Sequence, residues 1–249
     1  MRSVLVTGAS RGLGLGIASR LVASGYRVLA VARSETKELV ELRERAQEGR
    51  QAPPPSGSLH FRGFDLSAID AIPALVSELR KQWGPIYGLV NCAGISFEGA
   101  LAMMPTSQIE QLMQVNLLAP IVLTKAVVRG MMSEGEGRIV NIASILAITG
   151  YTGLSVYGAT KSALTGFSRS LAREVGRMGV NVNCVAPGFI DTQMTAAMQG
   201  EQREKVVRRS ALRRLAEVDD VASTVEFLLG DGAKNITGTV IPVDAGSTA

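Results

Sequence analysis

Tyr157 and Lys161 are a pair of residues that could perform acid–base chemistry. They lie one helical turn apart in Ser155-Val-Tyr-Gly-Ala-Thr-Lys161, and side chains four residues apart on a helix are close enough to interact. Free tyrosine has a pKa of about 10, but a neighbouring ammonium favours the phenolate and lowers that pKa. The pair therefore predicts a tyrosine that acts as an acid or base near neutral pH. The same spacing also occurs on exposed helix faces that have no catalytic role.

Ser144 is a second candidate, because it ends the apolar segment Ile139-Val-Asn-Ile-Ala-Ser144. β-Branched residues predict a strand here, and ligands of open α/β sheets bind at the carboxyl ends of strands. The Ser144 hydroxyl could therefore hold a substrate oxygen beside the tyrosine.

A glycine-rich turn, Thr7-Gly-Ala-Ser-Arg-Gly-Leu-Gly14, lies between an apolar run and a segment with helical apolar spacing. This context predicts strand, turn and helix, in which the backbone comes close to a dinucleotide pyrophosphate. The G-x-x-x-G-x-G spacing predicts a longer turn than G-x-G-x-x-G does, and plain turn chemistry is the alternative. With the tyrosine and lysine, the turn indicates hydride transfer to or from a carbonyl.

Arg33 favours one nicotinamide cofactor over the other. It follows the predicted strand Arg27-Val-Leu-Ala-Val-Ala32, where an acidic residue would bind a ribose 2′-hydroxyl and an arginine suits a 2′-phosphate. Arg11, inside the glycine turn, adds a second cation. We therefore predict NADP(H) over NAD(H).

The order of the elements predicts the α/β class. Short β-rich runs alternate with amphipathic stretches, which indicates a parallel sheet with helices on both faces. We predict strands at residues 3–7, 27–32, 58–62, 86–91, 137–143, 180–185 and 239–243. Residues 48–57 contain Pro53-Pro-Pro55 and predict a loop, because proline cannot continue a helix. Residues 191–214, with Met194 and Met198, predict a mobile substrate lid, and surface helices over the core are the alternative.

Composition narrows the class of protein. The 249 residues are 46% hydrophobic with a net charge of +4, which favours one large domain and gives no case for nucleic-acid binding. No uninterrupted apolar run approaches the roughly 20 residues that cross a bilayer, and no secretory signal is evident, so we expect a cytoplasmic protein without a membrane partner. His60 is expected to be structural, no metal is expected, and Cys92 and Cys184 are expected to be buried free thiols.

With these motifs the chain resembles the short-chain dehydrogenases/reductases, from Val4 to about Asp244. The family fold implies a single-domain Rossmann fold with seven strands in one doubly wound sheet. The family's Asn-Asn-Ala-Gly motif stands here as Asn91-Cys-Ala-Gly94, with a departure at Cys92. The resemblance implies a catalytic tetrad of Asn116, Ser144, Tyr157 and Lys161. It implies cofactor contacts at Gly8, Ser10, Arg11, Gly12, Leu13, Gly14, Arg33, Asp65, Leu66, Asn91, Ala93, Gly94, Tyr157, Lys161, Pro187, Gly188, Ile190 and Thr192.

The resemblance also implies a mechanism. Ser144 and Tyr157 polarise a carbonyl that accepts hydride from NADPH, and Tyr157 donates its proton to the oxygen. Lys161 fixes the nicotinamide ribose, lowers the pKa of Tyr157 and receives protons through Asn116 and water. A local helix kink without a catalytic purpose is the alternative for Asn116.

Within the family the chain is similar to the 3-oxoacyl-[acyl-carrier-protein] reductases. Ser170-Leu-Ala-Arg-Glu-Val175 and Val185-Ala-Pro-Gly-Phe-Ile-Asp-Thr192 carry this likeness. It implies NADPH-dependent reduction of 3-oxoacyl thioesters in fatty acid synthesis and a homotetramer or homodimer. It also implies carrier-protein contacts at Arg129 and Arg173, for which solvated helix charges are the alternative. Two other functions stay open: an NADP-dependent dehydrogenase of another carbonyl or alcohol, and a dinucleotide-sensing regulator without turnover.

Overall fold

Seven parallel strands form one sheet at the centre of the molecule. The structure is a computed structural model that describes residues 1–49, 57–190 and 200–249. The strands are β1 (Ser3–Thr7), β2 (Arg27–Ala32), β3 (Ser58–Gly63), β4 (Ile86–Asn91), β5 (Gly137–Ile142), β6 (Val180–Pro187) and β7 (Val240–Val243). Each of the seven predicted strands is present. The largest difference is in β6, which continues two residues beyond its predicted end and pairs with β7 as far as Pro187.

Helices cover both faces of this sheet. In the described residues they are α1 (Gly12–Ala23), α2 (Lys37–Gly49), α3 (Ile72–Trp83), α4 (Thr106–Met113), α5 (Ala119–Glu134), α6 (Ser155–Val175), α7 (Glu201–Arg209) and α8 (Val218–Leu229). One apolar core joins the sheet to α1, α2 and α8. A second core joins the other face to α3, α5 and α6. The predicted doubly wound Rossmann fold is therefore confirmed.

The strand order creates a crevice at one point of the sheet. The order is β3-β2-β1-β4-β5-β6-β7, so consecutive strands extend one way from β1 and the other way from β4. Connections leave in opposite directions between these two strands, and ligands of such sheets bind there, beyond the carboxyl ends. β1 ends at Thr7 and β4 ends at Asn91, directly before the glycine turn and Cys92-Ala-Gly94.

A π-helical turn, Gln114–Leu118, joins α4 to α5. The amide of Ala119 bonds to the carbonyl of Gln114, and this five-residue spacing defines the wider turn. Judged by length and apolar composition alone, the joined helix from Thr106 to Glu134 could cross a bilayer, but 44% of its most apolar window is buried inside the fold. A core helix gives the same signal, and this one packs against the sheet.

Two further sequence expectations concern side chains near the sheet. The His60 ring stacks on Trp83 with 3.7 Å between ring centroids, a packing role for this histidine. Cys184 is buried, whereas Cys92 is only partly buried because it lies just beyond β4. Both are free thiols. The predicted loop at residues 48–57 lies largely outside the described residues.

Candidate active site

The glycine turn is held against the exit of β4 by contacts that require glycine. A Cβ on Gly8 would lie 2.9 Å from the Cα of Ala93, and a Cβ on Gly14 would lie 2.2 Å from the Gly8 carbonyl oxygen. These positions therefore allow the turn, the first turn of α1 and the β4 exit to approach one another. Gly12 has a φ of +53°, and a Cβ there would meet nothing within 4 Å, so its backbone faces open space.

The amino terminus of α1 is suited to an anion. Arg11 is its N-cap without a side-chain cap bond, and the first turn contains no acidic residue. The first amides of a helix lack internal acceptors and carry partial positive charge, which attracts phosphate groups. Leu13 is half-buried in this first turn, whereas Arg11 is exposed.

The end of β2 brings a second cation to the same edge. Arg33 is exposed directly after β2, and the Thr36 hydroxyl donates to the carbonyl of Ser10 at 2.6 Å. Asp65 follows β3, and a backbone hydrogen bond from Ser67 lowers its pKa, to which the charge of Arg33 also contributes. Leu66 beside it is buried. An anionic group at the α1 terminus would therefore have Arg11, Arg33 and an ionised Asp65 as its charged neighbours.

Thr7 connects the glycine turn to the catalytic residues, and the sequence reading missed it. Its hydroxyl oxygen accepts hydrogen bonds from the amides of Cys92 and Ala93, each at 3.0 Å. Thr7 is the last residue of β1, and this position at a strand end is the sequence feature that could have identified it. Gly94 directly follows Ala93. Thr7 therefore fixes the backbone that passes between the cofactor turn and the tetrad.

Lys161 is buried at the centre of the tetrad. Its side chain is on α6, 4% exposed, and Nζ donates to the carbonyl of Ile142 at 2.8 Å. Nζ also lies 5.7 Å from the ring centroid of Tyr157, which is half-buried. The structure therefore places the ammonium beside the phenol ring, as the helical spacing predicts.

Asn116 lies in the π turn and clamps a neighbouring loop. It is fully buried; its Oδ1 accepts from the amide of Ile95 at 2.9 Å, and its Nδ2 donates to the carbonyl of Ile95 at 2.8 Å. A Cβ on Gly94 would be 3.4 Å from Asn116 Oδ1 and 3.5 Å from Lys161 Nζ. The π turn thus brings Asn116 to the same side of Gly94 that Lys161 approaches from α6.

Ser144 reaches the site from the end of β5, two residues after Ile142. Its Oγ accepts from the amide of Leu146 at 3.2 Å and begins the short 3₁₀ helix Ile145–Ala147. A Cβ on Gly158 would be 3.2 Å from the carbonyl oxygen of Leu146, so this segment packs on α6 beside Tyr157. The structure therefore places Ser144 at the start of a segment that packs on the α6 turn of Tyr157, and it places Asn116 and Lys161 beside Gly94.

In the Asn91-Cys-Ala-Gly94 motif, the Asn91 side chain is hydrogen-bonded in the interior and the Cys92 thiol is buried. The Asn91 amide donates to Asn141 Oδ1 at 2.7 Å and to Thr124 Oγ1 at 3.1 Å, so its side chain belongs to the interior. Burial raises the pKa of the Cys92 thiol to about 12, against the opposing charge of Lys161. The thiol is therefore neutral at pH 7.

The remaining predicted cofactor residues lie after β6. The Gly188 amide donates to the Val243 carbonyl at 2.9 Å, and a Cβ there would be 2.7 Å from the Asp244 Cβ. Pro187 ends β6, and Ile190 is buried in a bridge to Ala216. Thr192 lies outside the described residues.

The predicted lid, residues 191–214, also falls partly outside the described residues, with both of its methionines. Its described part contains α7 and a turn in which the Ser210 hydroxyl donates toward the carbonyls of Arg214 and Ala245, at 2.9 and 2.8 Å. This part is therefore helical and fastened to the segment after β7.

An aromatic pair that the sequence reading missed stands beside the tetrad. The rings of Tyr151 and Phe189 are 5.5 Å apart at 59°. Tyr151 belongs to the segment that joins Ser144 to α6, and Phe189 follows Gly188. Their 38-residue separation hides the pair from any local pattern, because only the sheet brings the ends of β5 and β6 together.

The site can hold a dinucleotide and protonate or deprotonate an oxygen. Open backbone at Gly12 and the uncapped α1 terminus fit a pyrophosphate. The phenol, its neighbouring ammonium and the Ser144 hydroxyl fit the oxygen of a carbonyl or alcohol.

Comparison with known proteins shows similarity along almost the whole chain. The family model described as enoyl-(acyl carrier protein) reductase matches residues 8–248. The 3-oxoacyl-[acyl-carrier-protein] reductase FabG of Escherichia coli (strain K12) is 38% identical over 244 residues, which cover 97% of this chain and 95% of the relative. The acetoacetyl-CoA reductase of Allochromatium vinosum is 36% identical over 246 residues, 98% of each chain.

Solved structures share the fold to the same extent. A short-chain type dehydrogenase/reductase from Mycobacterium ulcerans has a TM-score of 0.91 at 32% identity and covers 99% of this chain and 89% of its own. A gluconate 5-dehydrogenase from Burkholderia cenocepacia J2315, in complex with NADP and tartrate, has a TM-score of 0.90 at 27% identity, with 99% and 95% covered.

Gly14→Ala tests whether the close approach at the glycine turn is required. A methyl group 2.2 Å from a backbone oxygen must push α1 away from the turn, and overpacking of this kind costs about 1–3 kcal/mol. We expect a lower free energy of unfolding in urea and weaker dinucleotide binding. Gly176→Ala is the matched control, because a Cβ there meets nothing within 4 Å. An unchanged urea midpoint for Gly14→Ala would contradict the packing argument.

Proposed function

Because the chain belongs to the short-chain dehydrogenase/reductase family of oxidoreductases, we propose that it reduces 3-oxoacyl thioesters with NADPH. The natural substrate in this proposal is carried by acyl carrier protein and leaves as the 3-hydroxyacyl form. The names of the Escherichia coli and Allochromatium vinosum relatives, both reductases of 3-oxoacyl thioesters, support this choice. The observation that carries the chemistry is the buried Lys161 ammonium beside Tyr157, with Ser144 and Asn116 around it.

Tyr157 is the general acid in this proposal. Its phenol donates a proton to the carbonyl oxygen, while the Ser144 hydroxyl donates a hydrogen bond to the same oxygen and orients it. The Lys161 ammonium favours the phenolate that remains and so lowers the free energy of proton transfer. General acid catalysis of this type contributes about 10² to 10⁴ in rate.

Asn116 supports the replacement of that proton. Its amide is fixed by the two bonds to Ile95, and its Oδ1 and the Lys161 Nζ both lie near the position that a Gly94 Cβ would take. In this proposal Lys161 passes a proton to Tyr157 and regains it along a path that Asn116 orients. The π turn is then part of the mechanism, because it directs this side chain into the site.

The residues that would hold the cofactor lie around the crevice between the ends of β1 and β4. Gly8, Gly12 and Gly14 would lie around the pyrophosphate, and Arg11 and Arg33 would bind the 2′-phosphate. Thr7 and the backbone at Gly94 would keep the β4 exit in place. When bound, the reduced nicotinamide supplies the hydride. The solved relative from Burkholderia cenocepacia contains NADP, which supports the same choice here.

The rim of the site favours an acyl chain. Ile148 and Tyr151 are 53% and 40% exposed in the segment after Ser144, and Tyr151 contacts Phe189. Apolar side-chain surface gains from covering an alkyl chain, at about 25 cal/mol per Å² removed from water, whereas the hydroxyls of a sugar acid gain nothing from the carbon of Ile148. The gluconate 5-dehydrogenase likeness makes a polyol or another alcohol the second candidate substrate.

The proposal also covers the partner protein, the oligomeric state and the cellular location. Arg129 on α5 and Arg173 on α6 are exposed on helices of the same sheet face, where they can meet an acidic carrier protein. We propose a homotetramer or homodimer that acts in the cytoplasm in fatty acid synthesis. A regulator that senses the dinucleotide without turnover is the remaining alternative, and the complete tetrad argues against it.

Tyr157→Phe tests the general acid. The ring keeps its packing but loses its proton, so kcat for ketone reduction should fall at least about 100-fold. NADPH affinity, measured by fluorescence titration, should change less than about threefold. Tyr26→Phe is the matched control, since it removes a hydroxyl from a half-buried tyrosine that directly precedes β2, away from the site. Near-normal turnover by Tyr157→Phe would remove Tyr157 from this role.

Arg33→Asp tests the cofactor preference. Charge-assisted hydrogen bonds are worth about 1.5–3 kcal/mol, so losing one to the 2′-phosphate should lower kcat/KM for NADPH by about 10- to 100-fold. The kcat/KM for NADH should stay the same or rise, because an aspartate at this position suits a ribose 2′-hydroxyl. Arg177→Asp, an exposed site after α6, makes the same charge change elsewhere. Equal efficiency of the two cofactors in the unmodified protein would refute the preference.

The substrate itself is tested by NADPH oxidation with a defined panel. Acetoacetyl carrier protein should be the fastest substrate, ahead of small diketones, 5-ketogluconate and a crotonyl thioester. The last compound checks the enoyl reduction named by the family description. Arg129→Glu with Arg173→Glu should raise KM for the carrier-bound substrate but not for a small diketone. Strong activity on 5-ketogluconate with none on the thioester would overturn the substrate and keep the chemistry.

A further inference from the structure

A groove between α3 and α5 lies outside the candidate active site. We name it the α3–α5 groove; it has a volume of about 620 Å³, within the range of small-molecule sites. Val76, Val122 and Ala126 contribute its apolar surface, and Arg80, Lys81, Lys125 and Arg129 its cations. Apolar surface and four positive charges therefore meet in one concave site.

Arg80 crosses this groove from one helix to the other. A Cβ on Gly130 of α5 would lie 3.0 Å from the Arg80 Cζ and 3.2 and 3.3 Å from its two Nη atoms. The guanidinium of α3 thus rests against the backbone of α5, and the missing side chain at Gly130 makes room for it. The guanidinium therefore lies between the two helices that line the groove.

The positive charge of the groove is not neutralised by its surroundings. Across residues 1–49, 57–190 and 200–249, no carboxylate lines it, and none of its four cations takes part in a salt bridge within 4.0 Å. Arg62, by contrast, is paired with Glu78 of α3 at 2.5 Å. Unpaired cations over an apolar floor are complementary to an anion that has an apolar part.

The groove is remote from the reacting groups. Arg129 is thirteen residues beyond Asn116 along the continuous helix, which corresponds to about 20 Å at 1.5 Å per residue. Arg80, Lys81 and Gly84 lie at the end of α3, before β4 begins, and therefore at the sheet edge opposite the tetrad. A molecule bound there is not the substrate in its reacting position.

We propose that the α3–α5 groove binds a single-chain amphiphile with a phosphate head. The chain covers the apolar floor, and the head lies among Arg80, Lys125 and Arg129. A phosphate monoester carries about −1.5 to −2 charges and three acceptor oxygens at pH 7, which match several cations better than the single charge of a carboxylate. Arginine also binds phosphate in a bidentate manner.

Calorimetric titration of the full chain with decyl phosphate, below its micelle concentration, tests this proposal. We expect saturable binding at one site per chain, at least tenfold tighter than decanoate and tighter still than inorganic phosphate. Arg80→Ala with Lys125→Ala should raise Kd at least tenfold. Arg177→Ala with Lys234→Ala removes the same charge from exposed positions elsewhere and should leave Kd unchanged.

A second variant separates geometry from charge. Gly130→Ala keeps every cation and favours the helix, so the protein should fold, but its methyl group displaces the Arg80 guanidinium. We expect a threefold or larger rise in Kd for decyl phosphate. Circular dichroism and the urea midpoint verify that each variant is folded.

Three outcomes would overturn the proposal. The first is no saturable binding of decyl phosphate, and the second is the same Kd for the wild type and the Arg80/Lys125 variant. The third is inorganic phosphate binding as tightly as decyl phosphate, which would make the groove a plain anionic contact. The first outcome has a further reading. If the wild type does not bind decyl phosphate and the Arg80/Lys125 variant loses turnover of the carrier-bound substrate, the groove is a docking surface for the carrier protein.

Discussion

The buried ammonium of Lys161 is the interaction on which the site depends. Removing an ammonium from water costs several kcal/mol unless polar groups replace the lost hydration. One replacement is the carbonyl of Ile142, the last residue of β5, at 2.8 Å. The helix α6 and the end of β5 must therefore keep their relative positions for Lys161, 4% exposed, to keep this hydrogen bond.

That requirement extends to the cofactor turn through a single stretch of backbone. Gly94 lies between Asn116 and Lys161, and its neighbour Ala93 touches Gly8 and is bonded to Thr7. A shift of this strand exit would move the pyrophosphate turn and the tetrad at once. The switch point between β1 and β4 thus joins binding and chemistry physically, because adjacent residues of one loop serve both.

The fold was predictable from the sequence, and the tetrad residues remain a prediction that rests on motifs. Apolar runs bounded by turn residues mark the strands, and most of these runs are rich in β-branched residues, since a parallel sheet buried on both faces needs such strands. Tyr157 and Lys161 are local on one helix, so their spacing is visible. The π turn is not, because Gln114–Leu118 keeps helical spacing and the bulge arises from packing Asn116 against Ile95. The contacts of Thr7, the Tyr151–Phe189 pair and the α3–α5 groove join residues far apart in sequence, which no local pattern reports.

Proteins that share this fold need not share a substrate, because different parts of the chain determine the two. The TM-score of 0.90 with a gluconate 5-dehydrogenase reports the sheet, helices and strand ends, and these are the parts that hold Lys161 and the glycine turn. Substrate contacts come from the segments after β5 and β6, where loops can change without moving the strands. In this chain those segments present Ile148, Tyr151 and Phe189. The choice between the two proposed substrates therefore depends on these segments and not on the shared fold.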